Sequence, residues 1–100
     1  MREPVRLPRP TPARRRHLYR AALAFAGVAR RVVRYHQARG FRRRIKADDS
    51  YVTDAHLAAE QALRRAIRRR FPGHGIVGEE FPPHNPEAVF QWILDPSMGR

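Results

Sequence analysis

An α+β fold is predicted for this 100-residue chain from three patterns: two stretches of helical apolar periodicity, short β-favouring runs between and after them, and Gly/Pro clusters that separate the two kinds. A chain of this length makes one small domain and buries roughly 60–70% of the surface exposed by its unfolded form. A large enclosed catalytic core is therefore beyond it unaided.

The elements follow in order. Pro4, Pro8, Pro10 and Pro12 mark residues 1–16 as a basic, Pro/Arg-rich disordered arm, because proline lacks the amide donor that a helix needs. From His17 to Arg39, Leu18, Ala22, Phe25, Ala29, Val32 and His36 recur at spacings of four and three, which places them on one stripe of a long amphipathic helix. Arg20, Arg30, Arg31 and Arg34 fall largely off that stripe, and Gly40 suits the helix stop. Asp48, Asp49 and Ser50 form turns and Tyr51, Val52 and Thr53 favour extended backbone, so a strand or hairpin is expected near Arg42 to Val52. A second helix is expected over residues 54–70, with Thr53 at its N-cap and Asp54 at the positive end of its dipole. Pro72, Gly73 and Gly75 end it. Gly75 to Glu80 is a short apolar run closing in two acids, Pro82, Pro83 and Pro86 make a loop, and Val89 to Leu94 reads as a buried strand entering Asp95-Pro96.

Charge divides the chain. The net charge is +12, yet residues 1–46 alone carry 15 Lys or Arg and a single acid, Glu3. Such a block is the footprint expected for nucleic acid or an anionic surface. A solvated basic face in an Arg-rich, GC-biased protein has the same composition, and no aromatic interleaving of the base-stacking kind is evident along residues 1–46. Cysteine is absent, which excludes disulfides, zinc-thiolate sites and thiol nucleophiles and agrees with a reducing, cytoplasmic setting. Arginines interrupt every apolar stretch before the roughly 20 residues of a membrane span are reached. An Arg-rich, acid-poor transit peptide is the alternative for the first 46 residues.

Two strands that each end in carboxylates present side chains at the edge of an open sheet, and hard divalent cations take such oxygens. Glu79, Glu80 and Asp95 supply them. His17, His36, His74 and His84 show no ligand spacing and read as structural or solvated.

Lys46-Ala-Asp-Asp-Ser-Tyr-Val-Thr, then Gly78-Glu-Glu, then Trp92-Ile-Leu-Asp-Pro, resemble in order and spacing the first half of the inositol monophosphatase family over about residues 18–96. The resemblance implies the N-terminal half of a layered α/β/α/β/α fold, so that residues 17–100 form an incomplete domain. It implies a Mg²⁺-dependent, lithium-sensitive phosphomonoesterase of the inositol-phosphate or histidinol-phosphate type, acting on a small phosphorylated metabolite. By position it makes Glu79 and Asp95 metal ligands and assigns a metal-bound backbone carbonyl to Ser97. Lys46 and Asp48 match a strand motif, and Glu60 matches a helix acid read as structural. Two-metal hydrolysis of this kind needs no covalent nucleophile.

The family pattern is broken in two places. His56 stands where the motif after Val-Thr has an aspartate, and Asp54 lies about 200° round a helix from it. The family's Asp-Pro-x-Asp-Gly-Thr becomes Asp95-Pro-Ser-Met-Gly-Arg100, so Met98 replaces a hard ligand and Arg100 a threonine. The codons ATC GAT GGG ACG spell Ile-Asp-Gly-Thr, and one base later they read TCG ATG GGA CG, which begins Ser-Met-Gly-Arg. Loss of one base after Pro96 would thus recover the observed end, and the chain is expected to be a truncated segment with little or no activity of its own. Two other readings are a small basic nucleic-acid- or anionic-surface-binding protein, and a homo-oligomer or partner-dependent subunit formed through uncovered apolar faces.

Overall fold

The computed structural model describes residues 9–40, 43–45 and 51–94. Its elements are α1 (Pro12–Arg39), β1 (Arg43–Ile45), β2 (Tyr51–Thr53), α2 (Asp54–Arg70), β3 (Gly75–Val77) and β4 (Gln91–Ile93). This is the predicted α+β class, with two helices, an antiparallel pair β1–β2 and a parallel pair β3–β4. Among the described residues no helix is long and apolar enough to cross a membrane.

α1 starts at Pro12 rather than His17. The Thr11 hydroxyl accepts the Arg14 N–H at 3.1 Å, and a proline in the first helical turn gives up an amide that would have no intrahelical acceptor. The last of the four early prolines therefore opens the helix instead of preventing it. Gly40 ends α1 with φ 76°, a conformation that costs glycine little. α2 keeps its expected limits, with Asp54 in the first turn and Arg68, Arg69 and Arg70 in the last, both favourable to the helix dipole.

The core forms where α1 and α2 pack together and meet one face of β3–β4. Ala21, Phe25, Ile67 and Ile76 are buried, with Leu63, Ala66, Phe71, Trp92 and Leu94 against them. Phe25 meets Trp92 edge-on at 5.2 Å and Phe71 at 6.3 Å. Two expectations are corrected. The small residue buried on the α1 stripe is Ala21, while Ala22 is exposed: Ala21 lies one turn before the buried Phe25 and joins it in the core cluster. The buried strand expected over Val89 to Leu94 is only Gln91–Ile93, and its outward face is open: Ile93 is 76% exposed and Val89 54%.

The connection from β3 to β4 is a stapled loop. His84 and Ile76 exchange backbone hydrogen bonds of 2.8 and 2.9 Å. Gln91 donates its side-chain amide to the carbonyls of Ala88 at 2.8 Å, Pro86 at 3.1 Å and Asn85 at 3.2 Å, closing the turn that holds Asn85 at φ 50°.

Candidate functional site

Glu60 projects from α2 toward the turn that follows β3, and its carboxylate is buried there. Oε1 accepts the N–H groups of Glu79 at 2.9 Å and Glu80 at 3.0 Å, and Oε2 accepts Arg64 Nε at 3.0 Å. Arg64 in turn donates Nη1 to the carbonyl of Pro82 at 2.7 Å and Nη2 to that of Phe81 at 2.9 Å, with its guanidinium 5.8 Å from the Phe81 ring centroid. A helix acid and its i,i+4 arginine thereby fasten a five-residue turn from both sides, with charge-assisted hydrogen bonds. Gly78 is required by this closeness: a Cβ there would stand 2.6 Å from the Glu60 carboxylate. The backbone of the acidic turn is pinned while the Glu79 side chain remains exposed.

The strand register decides what can join Glu79. Gly75, Ile76 and Val77 pair in parallel with Gln91, Trp92 and Ile93, and Leu94 donates its N–H to the Val77 carbonyl at 2.8 Å. Both strands run the same way, so the end of β4 leaves the sheet beside the acidic turn. Asp95 and Ser97, the other expected ligands, lie outside the described residues, as do Lys46, Asp48, Met98 and Arg100. Among the described residues no three His, Cys, Asp or Glu side chains gather as a metal centre. His56 lies one turn before Glu60 on the same face of α2 by spacing and is half-buried.

His74 supports β4 from behind. It is buried, its ring lies parallel to Phe71 at 4.6 Å, and its Nδ1 accepts the Trp92 indole N–H at 2.9 Å. That bond needs a neutral imidazole with the proton on Nε2. Burial, followed by the nearby Arg14 cation, holds its pKa below the ordinary histidine value.

The model of the inositol monophosphatase family matches residues 14–96. The chain belongs to the inositol monophosphatase family. Among the curated members it resembles, histidinol-phosphatase of Chlorobaculum parvum is 43% identical over 54 residues, which are 54% of this chain and 21% of that protein. Histidinol-phosphatase of Mycobacterium tuberculosis has the same identity and coverage. Nus factor SuhB of Pasteurella multocida is 33% identical over 69 residues, 62% of this chain and 26% of that protein. The chain thus spans about a fifth to a quarter of these inositol monophosphatase relatives. No solved structure gives a significant match.

Sequence reasoning identified the acidic turn of this inositol monophosphatase segment and read Glu60 as structural. The purpose of Glu60 was not visible to it, because its amide partners are 19 and 20 residues away and are backbone groups, which carry no sequence signature.

Proposed function

We propose that this chain carries part of the metal site of a Mg²⁺-dependent phosphomonoesterase acting on a small phosphorylated metabolite of the inositol-phosphate or histidinol-phosphate kind. The observation that supports it best is the acidic turn pinned by Glu60 and Arg64 at the end of a parallel strand pair, within a segment that matches the family model. Glu79, Asp95 and the Ser97 carbonyl would hold the cation. All three are hard oxygen donors, and the Glu79 carboxylate accepts no hydrogen bond from a described residue, so the donor chemistry fits Mg²⁺. The chemistry supplied by the bound cation is charge: neutralisation of the phosphate and of the departing alkoxide, and acidification of the attacking water.

The chain's own residues contribute position. Glu60 fixes the two amides of the turn, Arg64 fixes its far side, and the His74–Trp92 bond holds β4, from which Asp95 follows. Met98 and Arg100 stand where the family motif has a ligand and a water-orienting threonine, so turnover by this chain alone is expected at the level of buffer.

Calorimetric titration of the full chain with Mg²⁺ tests the reading. Binding that Glu79→Gln removes and Glu87→Gln leaves intact is expected. A silent titration, or equal binding by Glu79→Gln, would overturn it.

A further inference from the structure

The groove between α1 and α2 is built from residues that the phosphatase reading does not use. Arg31, Tyr35 and His36 of α1 face Gln61 and Arg65 of α2 across an open depression of about 330 Å³. Arg31 and Arg65 are exposed and meet no carboxylate among the described residues. The Tyr35 ring is 56% exposed, with the Arg39 guanidinium 5.1 Å from its centroid and His36 edge-on at 5.4 Å. Arg31, Tyr35 and Arg39 are successive i,i+4 positions and share one face of α1. α1 contains no acidic residue, and α2 has only Asp54 and Glu60, neither of which lines the groove, so the guanidinium groups there outnumber the acids of the two helices.

Residues 1–46 show no repeated aromatic interleaving, but one ring among them, Tyr35, is bracketed by Arg31 and Arg39 on its own helix, and folding brings Arg65 of α2 to the same groove. Spaced cations that track phosphates beside an exposed ring that can carry a base are the two components of a single-strand binding groove. A bilayer surface fits less well. The apolar stripe of α1 is committed to the core through Ala21 and Phe25, leaving Tyr19, Leu23 and Tyr35 as its large exposed side chains, two of them tyrosines and too few to embed a helix in a membrane interface.

We propose that the α1–α2 groove binds single-stranded nucleic acid, with Arg31 and Arg65 on backbone phosphates and a base stacked on Tyr35. The proposal is independent of the acidic turn.

Fluorescence anisotropy of a labelled oligouridylate, titrated with the full chain over a series of salt concentrations, tests it. Tyr35→Ala should weaken binding about tenfold or more, and Tyr35→Trp should retain it. The double variant Arg31→Gln/Arg65→Gln should reduce the slope of log affinity against log salt by about 1.4 in magnitude. The double variant Arg15→Gln/Arg16→Gln, equal in charge but remote from the groove, should change the slope less. All the altered residues are exposed, and circular dichroism checks that the helices persist. Equal effects of the two double variants, or no effect of Tyr35→Ala, would reduce the binding to net charge and overturn the proposal. Tighter binding of a duplex, of polyglutamate or of phosphatidylserine vesicles, dependent on Arg31 and Arg65, would also overturn it.

Discussion

Replacing Glu60 with alanine removes one carboxylate and strands three donors: the amides of Glu79 and Glu80 and the Arg64 side chain. Breaking a buried pair from one side leaves the other charge uncompensated, so a loss of about 3 kcal/mol is expected in urea denaturation. Glu60→Gln keeps an acceptor for the turn and should cost less. His74 carries a different prediction. Its folded pKa is depressed, so the native state prefers the neutral ring; the resulting stability is present above the ordinary histidine value of about 6.5 and is lost as pH falls below it. The melting temperature should therefore drop between pH 7 and pH 5, and His74→Phe should flatten that contribution while leaving the Trp92 N–H without its acceptor.

At the level of elements, legibility followed the range of the determining interactions. α2 matches its expected limits because they are set locally, by Asp54, the apolar spacing and Pro72 just beyond its end. α1 began early because Thr11 and Pro12 act together, and proline residues counted singly suggest a break. β4 is shorter and less buried than expected because apolarity in a short run tells neither which residues pair, as Val89 does not, nor which face the core, as Ile93 does not. The site divided in the same way. Glu79 was legible as an acid at a strand end, whereas the clamp beneath it and the groove around Tyr35 join residues from separate elements, which periodicity cannot bring together.

Across the whole molecule the +12 charge is unevenly spread and both helices carry it. α1 has Arg14, Arg15 and Arg16 in or next to its first turn, where the dipole is already positive, and it faces the arginines of α2. Screening this repulsion should stabilise the fold. Raising the ionic strength from about 0.01 M to 0.15 M shortens the Debye length from about 30 Å to 8 Å, and a rise of a few degrees in melting temperature is expected by differential scanning calorimetry. A protein stabilised mainly by exposed ion pairs would melt lower under the same change.

The contact of Phe25 with Trp92 has a kinetic consequence. It joins the middle of α1 to β4, while α1 and α2 can meet sooner along the chain. Local helix pairing is fast, and closing the long span to β4 carries the larger entropic cost. During synthesis, α1 would wait with part of its aromatic cluster missing until β4 had been made, and only then would Trp92 lock the strand that ends two residues before Asp95.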